Sequence, residues 1–242
     1  MAWGTEGHRV TGEIAARHLT KKAKKSIASI LGNESIAMAS NWADFIKSDS
    51  VYKYLDEWHY INLKDSLNEN EIQSYLQKDT AADAYTKINF LTTQLKNKLL
   101  SQDKKVMYLK LLIHIVEDIH QPLHTADKEQ GGNGIKVLWF NEPSNLHRIW
   151  DSDLILHQQL SYTEYANAIN YATKEQIKEW QKQPLNQWLY DSYTISQSIL
   201  SEIKQPAQKL SYRYNYDHVA TLNDQMLKAG IHLAKVLNDI FG

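Results

Sequence analysis

The chain has 242 residues, 27 Lys and Arg against 28 Asp and Glu, 43% hydrophobic residues and no cysteine. That length suits one domain with one sizeable core, and a formal net charge of −1 excludes a global basic field that would draw in nucleic acid, so any anionic substrate must be held locally. The lack of Cys excludes disulfides and thiolate metal sites and leaves imidazole and carboxylate as the strong side-chain ligands.

No run approaches the roughly 18 apolar residues of a membrane span, and no signal-peptide pattern is present. Met1-Ala2 precede an abrupt Trp3-Gly4, which reads as a start codon and one residue placed ahead of a mature N-terminus. With only nine Gly, four Pro and no repeat or low-complexity tract, the expectation is a single domain over residues 1–242. Helical periodicity comes first at residues 12–31, where Ile14, Ala15, His18, Leu19, Ala23, Ile27, Ile30 and Leu31 fall on one stripe and Gly32-Asn33 follows as a stop. Similar patterns cover about 36–47, 69–77, 81–101, 104–120, 144–158, 162–181, 185–203 and 216–241, so the predicted fold class is all-α. Two places break the pattern. Residues 57–63, EWHYINL, read as extended chain, and residues 135–140, IKVLWF, read as a short strand leaving the turn Gly131-Gly132-Asn133-Gly134, giving a hairpin-like segment near 130–140. The helix from 104 should end near His120 because Pro122 disfavours helical geometry in Gln121, which leaves His124 on the exit loop.

The segment from 114 to 151 carries the chemistry: His114-x3-Asp118-x5-His124, the GGNG turn, then His147-x3-Asp151. A His and an Asp four apart on a helix differ by only about 40° in direction, so both heads converge on one ion. The first pair sits on a helix whose Leu109, Leu112, Ile113, Ile115, Val116 and Ile119 are apolar nearly all round, which makes it central. A carboxylate there is costly unless it is paired or bound to metal. One pair alone reads equally as a hydrogen bond in a core; repetition beside His124, with His8, Asp44 and His59 as further candidates, points to a metal cluster. Trp42 and Phe45 should face the core and carry Asp44 to its margin. His120 lies on another side of the helix and is assigned to packing or an outer hydrogen bond, while His18, His157, His218 and His232 lack a ligand-spaced partner and read as surface or core histidines. Eight ligands, four-coordinate zinc and open water positions amount to two or three ions, and closely spaced zinc suits phosphoester hydrolysis.

These residues resemble the secreted, zinc-dependent, single-strand-specific nucleases and 3′-nucleotidases of fungi, plants and bacteria, which share a helical fold with bacterial zinc phospholipase C. The matching motifs are Trp3-Gly4-x3-His8, Asn41-Trp42-Ala43-Asp44, Trp58-His59-Tyr60-Ile61-Asn62, His114-x3-Asp118-x3-Pro122-Leu123-His124, Gly131-Gly132-Asn133 and Asn145-Leu146-His147-x2-Trp150-Asp151. They span residues 3 to 151, and residues 152–242 match only as helical filler. The resemblance implies three zinc sites. Asp44, His59, His114 and Asp118 would hold the first; His124, His147 and Asp151 the second; His8, a bridging Asp118 and the amino nitrogen and carbonyl oxygen of Trp3 the third. Lys47 and Asn133 match positions that contact phosphate, and Tyr60 and Asn62 match a base pocket. Among these, Asp44, Lys47, Asp118 and Asn133 are the residues expected to serve catalysis.

The resemblance further implies cleavage of single-stranded DNA and RNA to 5′-phosphorylated products, 3′-nucleotidase activity, and a secreted or periplasmic location. No membrane or obligate protein partner is expected. Two departures bear on it. Met1-Ala2 would turn the Trp3 amine into an amide and reduce three zincs to two if retained, and the family often has Phe and Asp where this chain has Tyr60 and Asn62. The lack of Cys points to a bacterial member. The competing readings are a zinc phospholipase C relative, against which Asp151 stands where that branch has Glu, and a non-catalytic zinc or nucleotide-binding protein.

Overall fold

The computed structural model describes residues 3–242 and is mainly helical, so the expectation about Met1 and Ala2 falls outside the described residues. The first helices are α1 (Thr5–Arg17), α2 (Lys21–Leu31), α3 (Ile36–Ala39) and α4 (Trp42–Phe45). A 3₁₀ turn (Ile46–Ser48) and a 3₁₀ helix (Ser50–His59) follow, then α5 (Glu69–Lys78), α6 (Ala84–Leu95) and α7 (Gln102–Asp118). After a 3₁₀ segment at Pro122–Thr125 come β1 (Lys136–Trp139), β2 (Glu142–Asn145) and α8 (Leu146–Arg148), which runs through a π-helical stretch at Ile149–Asp153 into α9 (Leu154–His157). The chain ends with α10 (Tyr162–Ile169), α11 (Lys174–Lys182), α12 (Leu185–Glu202), β3 (Gln208–Leu210) and α13 (Tyr212–Phe241).

Capping chemistry divides two stretches whose periodicity runs straight through. Residues 12–31 are two helices because Thr20 turns extended and accepts from the Ala23 N–H at 3.1 Å, capping α2. Residues 162–181 are likewise two, because Thr173 and Gln176 form a capping box at the start of α11. The stretch read as extended at 57–63 is 3₁₀ helix through His59 and extended only from Tyr60. Helix α7 stops at Asp118, two residues before the expected end, and α13 begins at Tyr212, four before the expected start. Phe45 faces solvent, 59% exposed, and not the core; Trp42 is half-buried.

The predicted strand at 135–140 is β1, and it pairs antiparallel with β2. A third strand, β3, pairs parallel with β1 from far along the chain, which local pattern did not suggest.

Helices α1 and α13 pack closely at Gly230, where a Cβ would lie 2.5 Å from Ile14 Cγ2. One apolar cluster gathers Leu109, Leu112, Ile115 and Val116 of α7 with Leu91 of α6 and Leu233 of α13. A second gathers Trp3, Val10, Leu146, Trp150 and Met226. Helix α7 contacts α1, α3, α4, α6 and α13, so its polar residues near Asp118 are enclosed on every side.

Candidate metal centre

On the last two turns of α7, His114, Glu117 and Asp118 are all 0% exposed. The i, i+4 pair meets as expected, His114 Nε2 lying 3.2 Å from Asp118 Oδ2. Other elements converge on the same point. His8 of α1 places Nε2 3.3 Å from Asp118 Oδ1, and His59, at the end of its 3₁₀ helix, places Nδ1 2.9 Å from Asp118 Oδ2. Asp44 of α4 reaches to 3.8 Å from His114 Nε2, and the Lys47 ammonium donates to Asp44 Oδ1 at 2.7 Å.

A few residues along the chain, Pro122 opens the 3₁₀ turn that carries His124 back toward the helix end, capped by Gln121, whose Oε1 accepts from the Leu123 N–H at 2.6 Å. That bond orients the Gln121 amide so that Nε2 donates to Asp151 Oδ1 at 2.5 Å. His147 and Asp151 form the second i, i+4 pair, Nε2 to Oδ2 3.2 Å, on the stretch where α8 widens into π-helix, a local distortion common at functional sites. His124 Nε2 lies 3.8 Å from Asp151 Oδ1 and its ring stacks on that of His147 with centroids 5.0 Å apart.

Backbone carbonyls fix the imidazoles. His114 Nδ1 donates to Ser40 O at 2.5 Å, His124 Nδ1 to His59 O at 2.8 Å and His147 Nδ1 to Gly131 O at 2.7 Å. Each donation sets the tautomer and leaves an Nε2 lone pair facing the carboxylates. His8 Nδ1 instead donates to a carboxylate, Glu117 Oε2, at 2.5 Å.

Three sets of ligand atoms result: His8, His114 and Asp118; Asp44, His59 and His114; His124, His147 and Asp151, each with its atoms within 4.8 Å of one another. His59 Nε2 is buried and finds no hydrogen-bond partner among the described residues, and His8 Nε2 and Asp118 Oδ1, equally buried, face each other at 3.3 Å without forming a hydrogen bond. Orphaned buried atoms of this kind are costly, and the donor set of imidazoles with carboxylates fits a divalent transition metal such as zinc. The electrostatics agree. Burial, the largest influence, holds His59 and His124 down at about 4, so both are neutral donors at neutral pH. For His8, burial is outweighed by Asp118 and Glu117, which raise it to about 10; for His147, burial is outweighed by Asp151, and it is also raised. Asp118 is held well below the usual carboxylate range, burial being overcome by His114, His59 and His8.

Of the candidate ligands, His59, His124 and His147 open onto a cavity of about 590 Å³ that is also lined by Lys47, Asp56, Tyr60, Asn62, Asp127, Gln130 and Asn133 among others. Extended backbone explains how Tyr60 and Asn62 come to share one wall. Ile61 N donates to His124 O at 2.9 Å and Leu63 bridges to Ala126, so Ile61 and Leu63 point inward, at 0% and 1% exposure, while their neighbours face the cavity. Asn133 is exposed at the rim, its side-chain amide donating to Gln130 O at 2.9 Å.

Trp3 is fully buried, its indole N–H donating to Glu117 O at 2.9 Å, and Gly4 N donates to Asp151 O at 2.6 Å, so the first described residues are pinned between the two halves of the site. His120 packs away from the site, bonded to Val116 O at 2.7 Å and to His232 at 2.7 Å, and His218 pairs with Glu202 at 2.8 Å. Sequence reading passed over Glu117, Gln121, Asp127 and Gln130. For Glu117 there was a signal, a second acid on a helix otherwise apolar.

A mainly helical scaffold that gathers five histidines and three aspartates, with His59, His124 and His147 of that cluster lining an open cleft, defines a metal-binding hydrolase. The family is now plain: the model described as S1/P1 Nuclease matches residues 3–242, and the chain belongs to that family and is a nuclease. Helices α10 to α13 are therefore part of the family fold and not filler. Curated relatives include Endonuclease 2 of Arabidopsis thaliana, 28% identical over 99% of this chain and 91% of that protein. Nuclease P1 of Penicillium citrinum is 26% identical over 99% of this chain and 98% of its own length. Nuclease S1 of Aspergillus oryzae is 30% identical over a shorter stretch, 63% of this chain and 54% of the relative.

Proposed function

We propose that the chain is a single nuclease domain holding three zinc ions, which cleaves single-stranded DNA and RNA to 5′-phosphorylated products, removes 3′-phosphates from nucleotides, and acts as a secreted or periplasmic enzyme. The observation that carries this reading is the set of orphaned buried atoms of His8, His59 and Asp118 beneath a cleft lined by Lys47, Tyr60 and Asn62. In this reading Asp44, His59, His114 and Asp118 hold one ion, His124, His147 and Asp151 a second, and His8, Asp118 and the backbone of Trp3 a third. Such ions, when bound, polarise a phosphoryl group and make a nucleophilic hydroxide available at neutral pH.

The remaining steps belong to the chain. Asp118 faces His8, His59 and His114 at once, which suits a shared ligand. Lys47 and Asn133, which both line the cleft, supply donors to the non-bridging phosphate oxygens as charge builds there. Tyr60 stays a neutral phenol, pushed up by burial and then by Glu57 and Asp56, and its ring offers a face for an unstacked base while Asn62 reads the base edge. Duplex bases are already stacked, so the pocket selects single strands. No helix among the described residues is long and apolar enough to cross a membrane.

The test compares hydrolysis of single-stranded DNA, duplex DNA and phosphatidylcholine by the zinc-loaded protein and by Asp118→Asn. Single strands should be cut, duplex and lipid spared, chelator should abolish cutting, and the variant should lose on the order of a hundredfold or more in rate. Lipid turnover without DNA cleavage, or undiminished cutting by the variant, overturns the proposal.

A further inference from the structure

Glu117 takes no part in the reading above, although it is fully buried beside Asp118 in the middle of the molecule. Its Oε2 accepts from His8 Nδ1 at 2.5 Å, which aims His8 Nε2 at Asp118 Oδ1, 3.3 Å away. Its own main-chain carbonyl accepts from the Trp3 indole at 2.9 Å, so one residue ties α7 to both α1 and the first described residues. His114, His124 and His147 are backed by main-chain carbonyls; His8 is backed by a side-chain carboxyl group. An apolar side chain would fill the space without the desolvation cost of a buried acid, so packing alone does not account for Glu117.

The charge inventory of the cluster gives it a reason. The set around Asp44, His59 and His114 has Asp44 and a share of Asp118, and the set around His124 and His147 has Asp151, whereas the set around His8 has only its share of Asp118. A divalent ion at that position needs more negative charge nearby, and Glu117, acting through His8, supplies it. A carboxylate behind an imidazole also fixes the ring and strengthens it as a donor.

We propose that Glu117 is a positioning residue that sets the affinity of the ion held by His8 and Asp118, independently of the other two. The proposal rests on the metal-cluster reading. Wild type, Glu117→Gln, His8→Ala and the double variant, each as the full chain, are stripped with chelator and reloaded with zinc followed by calorimetry and elemental analysis, and with cobalt followed by visible absorption.

Wild type should take up all its ions. Glu117→Gln, with its helical circular dichroism unchanged, should weaken one ion by about 10- to 100-fold and alter one cobalt band set, leaving the others as in wild type. His8→Ala should lose the same ion, and the double variant should be no worse than His8→Ala, because the carboxylate acts through the imidazole. If Glu117→Gln does not fold, Glu117→Asp, which keeps the charge, should fold and weaken only that ion. Wild-type affinity for every ion in Glu117→Gln or Glu117→Asp, or losses that add in the double variant, overturns the proposal. A wild-type chain that takes up no metal instead removes the underlying cluster reading, a different and separately visible result.

Discussion

Asp83 caps α6, its Oδ1 accepting from the Thr86 N–H at 3.0 Å, while the next residue, Ala84, donates its N–H to the carbonyl of the cleft residue Tyr60 at 3.0 Å. Burial, and then the carboxyl of Asp79, raise Asp83 from 3.8 to about 7. The folded state therefore binds this proton more tightly than the unfolded chain. Its stabilising effect is complete below pH 3.8, is lost as pH rises to about 7, and changes no further above that. Asp79→Asn removes the second acid and leaves burial, so the decline between about pH 4 and pH 7 should become shallower. Urea unfolding of wild type and variant at pH 4.5, 6 and 8, all choices of about one unit in spacing or more, measures the difference directly, and pH effects on the metal ligands cancel between the two proteins. Parallel stability curves would show that Asp79 has no part in the shift.

At the scale of elements, the turn between the 3₁₀ segment and β1 decides where His147 points. Gly131 has φ 61° and its carbonyl accepts from His147 Nδ1; a Cβ there would run into the Leu123 carbonyl. Gly132 has φ 81°, but a Cβ would meet nothing closer than 3.5 Å. Gly131→Ala should thus cost about 1–3 kcal/mol and weaken metal retention, with Gly132→Ala costing less, as read by thermal unfolding and metal content. Equal effects of the two substitutions would mean that the close approach at Gly131 is of no consequence. The turn itself was legible in Gly131-Gly132-Asn133-Gly134, and so were the His114/Asp118 and His147/Asp151 pairs, because i, i+4 spacing is local geometry. What escaped depended on partners distant in the chain or on competing local chemistry. Periodicity ran through residues 18–20 and 170–173 because Thr20 and Thr173 act through backbone capping that an apolar stripe does not register. Strand β3 exists only because β1, some seventy positions earlier, offers it an edge. Phe45 was assigned inward from its neighbours, yet α4 is a single turn whose inner side is already taken by Ala43 and Asp44.

Across the whole molecule, the candidate ligands belong to α1, α4, the 3₁₀ helix, α7, its exit turn, α8 and the π-helical stretch, while α13 packs behind them through an apolar contact with α1 and α7. Metal would therefore join elements that the apolar clusters already hold near one another, adding to stability without creating the fold. A ligand that binds only the folded state stabilises by about 4 kcal/mol at a thousandfold excess over its dissociation constant, and a chain of this size gains about 2–4 °C per kcal/mol, so even one tightly held ion should raise Tm by on the order of 10 °C. Chelation should leave the helical circular dichroism largely intact, because Leu109, Leu112, Ile115 and Val116 of α7 remain buried against α6 and α13 without help from the ligands. What chelation releases is the desolvation inside the site: Asp44 and Asp118 stay packed against His114, and Asp151 against His124 and His147, with no divalent ion to offset their charge. The chelated protein should accordingly melt earlier, regain its Tm on addition of zinc, and unfold first where α1, α7 and the π-helical stretch meet, seen as early loss of amide-exchange protection around Trp3, His8 and Asp151 while α13 stays protected. Identical melting with and without chelator, or a loss of all helical signal on chelation, would each contradict this division of labour between apolar core and metal site.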